Sequence, residues 1–370
     1  MTAPVVIDCD SHVMEPADLW QRYLEPEFRD RAIRIEQRGG VEHLIIGEQS
    51  VLAGVLGGLG GAHLDPAQLF MQGTSYAAGC EPASYDPAAR IALLDSWRVD
   101  QGVLFPTIGI LPFPTDDAKL ANAYCRAYNR WQTDFAQGAK GRAIPIALIN
   151  WHDVDAAVGE LEHCIKRGFR GLFAPPEVID GRRPSEAHFD PIWRRCEEAG
   201  IPGCLHVIVR FAPGGGLFGN WGLTRPGSVF TFGLGATGQL IPAVAAMVTD
   251  LLFERFPKLK IVSVEAGCGW AAYLMDRLDE KNGRFHAPGM SLTPGDYIRR
   301  NCYFVAEPEE RTIGAMLDLV GEDRILWGSD YPHVDSYLDA PQQIRRSVAS
   351  LTPARQAAVL GGNARRVFGV

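Results

Sequence analysis

No cationic stretch runs through this sequence: 36 Lys and Arg stand against 44 Asp and Glu, for a net charge of −8. The adjacent pairs Arg182-Arg183, Arg299-Arg300 and Arg365-Arg366 are isolated, which argues against nucleic acid as a partner. The eight cysteines include no Cys-x-x-Cys, and several fall inside apolar runs, where a thiol packs as a small hydrophobe. That scatter speaks against a disulfide framework and predicts a reduced, cytoplasmic protein. Met1 to Pro4 carry no basic segment ahead of the first apolar run, so no signal peptide is expected. Charge is also missing from residues 226–249, but six Gly or Pro interrupt that stretch. A bilayer span needs about 20 predominantly apolar residues, so the expectation is a loop and helix lining an apolar pocket, with no membrane partner. Finally, no Gly-x-Gly-x-x-Gly follows the first apolar run, which weighs against a doubly wound nucleotide-binding sheet.

What the chain does have is rhythm. Hydrophobic residues make up 46% and charged residues 22% of the 370, an ordinary globular balance. Eight continuous apolar runs recur, at 5–8, 102–106, 144–149, 171–174, 203–207, 260–265, 302–305 and 325–328. Continuous rather than alternating runs suit strands covered on both faces. Amphipathic segments lie between them: Val154, Val158, Leu161 and Ile165 share one helical face ahead of Gly168. Pro191 and Gly200 bracket another such segment. Strand and helix alternating eight times predicts a (β/α)8 barrel, with residues 1–370 as one domain. An insertion over about 30–85 interrupts it: residues 34–46 read as a hairpin around Gly39-Gly40, and the glycine-rich 54–61 as a flexible flap. A second long loop, 213–222, follows the fifth run. Both insertions are expected to wall the mouth where barrel active sites lie.

Three of the runs end in residues that bind metals. The first delivers Asp10 and His12, which alternate to the same side of a strand; the fifth ends in His206, and the eighth in Asp330. In a barrel these ends meet at one mouth. Two imidazoles with one or two carboxylates leave a coordination position open, as a catalytic divalent metal requires. Taken singly, each has a plainer explanation: a core histidine, or an aspartate capping a turn. Their shared position at strand ends favours ligands.

Asp10-Ser-His12-Val-Met-Glu15-Pro16, His206, Gly328-Ser329-Asp330-Tyr-Pro-His333 and the closing Gly361-Gly362-Asn363 to Gly369 together resemble the amidohydrolase superfamily. The branch is the one that includes aminocarboxymuconate semialdehyde decarboxylase and γ-resorcylate decarboxylase. The resemblance implies a single divalent metal, zinc or else manganese, on Asp10, His12, His206 and Asp330. It implies a small carboxylic acid, ester or amide as substrate, and a homodimer or higher homo-oligomer. The fourth run, 169–176, lacks the lysine expected of bimetallic members. Two features depart from the pattern: Asp10 stands where His or Glu is common, and Glu265 ends the sixth run where a His is common. Asp330 and Glu265 are therefore the candidate proton-transfer groups, and Glu265 could instead steady a ligand imidazole or form a salt bridge. Glu15, Trp270 and His333 are candidate substrate contacts, and Glu307 is a weaker one. Phe211, Leu217, Phe218, Trp221 and Phe230 are candidate apolar lining. Three activities stay open: non-oxidative decarboxylation of a small aromatic or unsaturated acid; hydrolysis of an ester, amide or C–C bond beside a carbonyl; or a barrel that only binds.

Overall fold

The computed structural model describes residues 4–65, 74–111, 113, 115–208 and 229–370. All eight apolar runs are strands. They form one parallel sheet in the order β1 (Ile7–His12), β5 (Gln101–Phe105), β6 (Ala143–Ala147), β7 (Gly171–Ala174), β8 (Gly203–His206), β9 (Ile261–Val264), β10 (Cys302–Ala306) and β11 (Ile325–Trp327). Most of their residues are fully buried, as strands with helices outside and side chains filling the inside must be. The helices come where the amphipathic segments predicted them, including Val154–Lys166 capped by Asp153 and Asp190–Ala199 ended by Gly200 in the left-handed conformation.

The sheet closes where β1 meets the chain just after β11. His12 N donates to Tyr331 O, and the amides of Ser329 and Asp330 both donate to Asp10 O. Asp8 locks the seam from inside: its carboxylate accepts the Ser329 amide at 2.9 Å and the Ser329 hydroxyl at 2.6 Å. Gly328 permits the approach, since a Cβ there would overlap Asp10 Cβ and stand 2.9 Å from Val305 Cγ1. Buried Arg90 braces the same place, donating to Ser11 Oγ at 2.7 Å and to His12 O at 2.5 Å, and lying over the Tyr331 ring. Burial lowers its pKa to about 10.

The insertion differs from expectation in two ways. The hairpin β2 (Arg34–Arg38) and β3 (Val41–Ile46) gains a third antiparallel strand, β4 (Gln49–Ala53). The segment 54–61 is a packed turn, not a flexible flap. It contains a 3-10 helix, Leu56–Leu59, with Leu56 fully buried, and its glycines allow backbone to lie on backbone: a Cβ on Gly60 would overlap the Gly79 carbonyl. The uncharged stretch is largely the helix Val229–Thr249, long and apolar enough by composition to cross a bilayer. Leu240, Val244, Met247 and Val248 pack it on the barrel, while Val229, Phe232 and Leu234 are exposed. Phe211, Leu217, Phe218, Trp221 and the loop 213–222 lie outside the described residues.

Gly328→Ala should force β1 and β11 apart, lowering stability by about 1–3 kcal/mol, the usual cost of overfilling a packed core. Urea unfolding of the metal-free protein would read this, and an unchanged midpoint would show that the seam tolerates a methyl group.

Candidate metal centre

The sequence placed its four ligand candidates at strand ends, and the fold brings them together. His12 and His206 are fully buried at the ends of β1 and β8. Each ring is oriented from behind by a backbone carbonyl: His12 Nδ1 lies 2.8 Å from Pro106 O, and His206 Nδ1 2.8 Å from Val207 O. A carbonyl only accepts, so the proton of each neutral ring sits on Nδ1. The two Nε2 lone pairs then face each other at 3.1 Å. Opposed lone pairs repel unless a cation lies between them, and nitrogens bound to one zinc, each about 2.0–2.1 Å from it, fall within this range of one another.

Carboxylates complete the ring. Asp10 Oδ1 is 3.2 Å from His12 Nε2 and 3.6 Å from His206 Nε2; Asp330 Oδ1 is 3.4 Å from His12 Nε2; Glu265 Oε2 is 3.3 Å from His206 Nε2. Asp10 Oδ1, Glu265 Oε2 and both carboxyl oxygens of Asp330 are buried and accept no hydrogen bond from the described residues. Such orphaned oxygens cost about 1–3 kcal/mol each or more when charged, and one divalent cation would serve all three side chains. The donor set therefore fits a metal. Asp10, His12, His206 and Glu265 offer ligand atoms within 4.8 Å of one another, as do His12, Glu265, Asp330 and His333.

Glu265 and Asp330 both take positive φ, 59° and 55°. Side chains other than glycine rarely adopt this backbone, and it collects at functional sites. Here it turns each carboxylate back over the strand ends. Burial raises the pKa of both well above the carboxylate range, and neighbouring acids, among them Asp10 and Asp335, raise them further; Glu307 is raised the same way.

The remaining candidates divide. His333 reaches the centre: its ring lies 3.8 Å from that of His12, Nδ1 is 2.8 Å from Asp330 Oδ1, and Nε2 is 3.0 Å from Thr107 Oγ1. Burial, with His12 and His206 nearby, drops its pKa well below the usual value, so the ring is neutral. Glu15 is fully buried, and its oxygens accept three backbone amides, those of Thr107, Ile108 and Gly109, at 2.9–3.1 Å. It fastens the loop after β5, and its pKa is raised to about 7 by burial. Trp270 opens the helix Trp270–Phe285, stacks edge-on against Phe304 and donates its indole N–H to Ala266 O. It packs against the core rather than joining the ligand cluster. Phe230 lies at the start of the helix Val229–Thr249. Sequence reasoning missed Asp8, Arg90, Thr107 and Asp335. A buried acid two residues before Asp10 was the available hint for Asp8; nothing in the local sequence marks Thr107.

A sequence profile of the amidohydrolase family matches residues 7–370. The 2-amino-3-carboxymuconate-6-semialdehyde decarboxylase of Dictyostelium discoideum is 23% identical over 77% of each chain. An amidohydrolase from Mycobacterium avium subsp. paratuberculosis superposes with a TM-score of 0.82 at 23% identity, over 100% of both chains. A 5-carboxyvanillate decarboxylase of Novosphingobium aromaticivorans, solved with bound manganese, gives 0.68 at 18% identity over 100% of this chain and 98% of its own.

Two outcomes follow from this geometry. His12→Ala or His206→Ala should abolish tight binding of one divalent metal per chain, measured by metal analysis after dialysis; retention by both would refute the site. The second concerns pH. Acids whose pKa is raised by folding bind more protons in the native state, whereas the lowered pKa values of His12 and His333 act the opposite way below about pH 6.5. Above that point metal-free stability should fall as pH rises from about 7 to about 8. Added zinc or manganese should restore the melting temperature at the upper end, and a metal-free melting temperature that rises with pH across that window would contradict the assignment.

Proposed function

The chain belongs to the amidohydrolase family, and on that premise we propose that it is a metal-dependent, non-oxidative decarboxylase of a small aromatic or unsaturated carboxylic acid. The observation that carries this reading is the pair of opposed Nε2 lone pairs at 3.1 Å, ringed by orphaned carboxylate oxygens beside Asp330. The relatives named above that act on carboxylated substrates lend it direction. Asp10, His12, His206 and Asp330, with Glu265 alongside, would hold the ion. Two imidazoles suit zinc, and three carboxylates also admit manganese. When bound, the ion supplies a Lewis acid that polarises the substrate's carboxylate and a neighbouring oxygen.

The chain's own part is proton delivery. As the C–C bond to the departing CO2 breaks, its electron pair stays on the substrate carbon, and Asp330 gives that carbon a proton. Without the ion, burial and neighbouring acids raise the pKa of Asp330, which suits a group that exchanges a proton with substrate, and solvent at the mouth would restore the proton afterwards. Asp335, close to it, would lie on that route.

One observation favours hydrolysis as a second reading. Glu265, Glu307 and Asp335 gather acidic groups close to one another, which suits an uncharged ester or amide better than a second carboxylate. In that case Asp330 would accept a proton from the attacking water. The eight cysteines are free, seven of them buried, which supports a cytoplasmic location. The apolar face of Val229, Phe232 and Leu234 supports homo-oligomeric assembly.

Asp330→Asn should lower kcat by about 10²–10⁴ while the protein stays folded, because an amide cannot exchange the proton. Screening carboxylic acids for CO2 release, and esters for 18O uptake from labelled water, separates the two readings. Glu265→Gln should weaken metal binding by about 10–100-fold if Glu265 supports the ligands. If it moves protons, the loss should appear in kcat with metal content unchanged.

A further inference from the structure

The carbonyl that orients His206 is held from its other side by a helix. His206 Nδ1 meets Val207 O at 2.8 Å. The nitrogen of that same peptide group, Ile208 N, donates to Gln239 Oε1 at 3.1 Å, and Gln239 Nε2 donates back to Ile208 O at 3.0 Å. A peptide group is planar, so its carbonyl cannot turn without its N–H. Gripping Ile208 N therefore fixes the direction of Val207 O, and with it the edge of the imidazole that this oxygen holds. The rings flanking His206, those of Phe105 and Phe173 at 5.0 and 5.8 Å, are apolar and give its nitrogens no preferred direction. Gln239 is the one amide side chain in the uncharged helix Val229–Thr249. Its neighbour Leu240 is fully buried against the barrel, which seats the helix where that amide reaches the end of β8.

His12 is held in the same manner. Its Nδ1 meets Pro106 O at 2.8 Å, and the N–H of that peptide, on Thr107, donates to Glu15 Oε1 at 3.1 Å. Each imidazole thus leans on a peptide plane that a longer polar side chain clamps from behind. Glu15 does so from just beyond its own histidine, Gln239 from 31 residues past Ile208.

We propose that Gln239 is a positioning residue: by clamping the Val207–Ile208 peptide it aims the His206 ring, so that Nε2 comes to 3.1 Å from His12 Nε2 and the two can share one cation. The inference rests on the metal centre described above, but it concerns a residue that neither binds the ion nor moves a proton, and part of its test needs no metal.

The test compares Gln239→Met, which keeps the length of the side chain and removes both hydrogen bonds, with Gln239→Glu, which keeps an oxygen to accept the Ile208 amide. Zinc affinity of the full chain is measured by competition with a chelator. Gln239→Met should weaken it by about 10–100-fold, the scale of a lost partner behind a metal ligand, and Gln239→Glu should recover most of that loss. Crystal structures of zinc-free wild-type protein and zinc-free Gln239→Met give a second readout. The Val207–Ile208 peptide should turn, and the His206 ring swing away from His12, in the variant alone. A glutamine that only braces the helix would lower the zinc-free melting temperature and leave the zinc affinity of the folded protein unchanged, and that result overturns the proposal. So does a His206 ring that keeps its place in zinc-free Gln239→Met, or an affinity as weak in Gln239→Glu as in Gln239→Met. If the wild-type protein binds no zinc, the metal centre fails, while the zinc-free crystal structures still uphold or reject the clamp.

Discussion

Asp8 grips Ser329 by both its amide and its hydroxyl, and Asp10 O takes the amides of Ser329 and Asp330. These contacts join the first strand to the chain beyond the last. They are made by backbone and by short side chains, so little slack exists between the two segments. The same few residues present Asp10 and His12 from one side and Asp330 from the other, so closing the barrel also brings together this part of the candidate metal centre. Gly328, Arg90 and Tyr331 serve this seam, each by allowing or enforcing close approach.

The seam concentrates charge that the protein alone does not balance. Asp10, Glu265 and Asp330 converge on three imidazoles, two of which direct lone pairs at each other. Two of those acids also sit on backbone that disfavours them. Arrangements of this kind persist where the surroundings over-determine them, and here the surroundings are the barrel strands and the carbonyls that fix His12 and His206. The tension marks a place built to receive a cation and a substrate rather than to stabilise the fold.

The eight strands and the four ligand candidates were legible because both follow from local pattern: an apolar run reads as a covered strand wherever it occurs, and a barrel sends all such strand ends to one mouth. Glu265 was also visible, as a residue out of place at a position the other strands had defined. What escaped the sequence was set by contacts between distant segments. Glu15 looked like pocket lining because it follows His12 closely, yet its carboxylate faces the loop after β5, 92–94 residues away. Thr107 and Asp8 are ordinary residues until the fold supplies a partner. Glycines at 54–61 suggested looseness, whereas the structure uses them for close contact; composition alone does not distinguish the two uses.

The seam also carries a consequence for how the enzyme comes to be made. Ser329 and Asp8 are 321 residues apart, so a nascent chain leaving the ribosome holds Asp10 and His12 long before their partners exist. His206 follows, and Asp330 follows more than a hundred residues later. A cation meeting the chain before that point would find only one or two of the candidate ligands, free to bind in wrong geometries or to exchange. The complete donor set forms only once the segment carrying Asp330 has docked beside the first strand, so any ion the site holds is selected by the folded barrel and not by the growing chain.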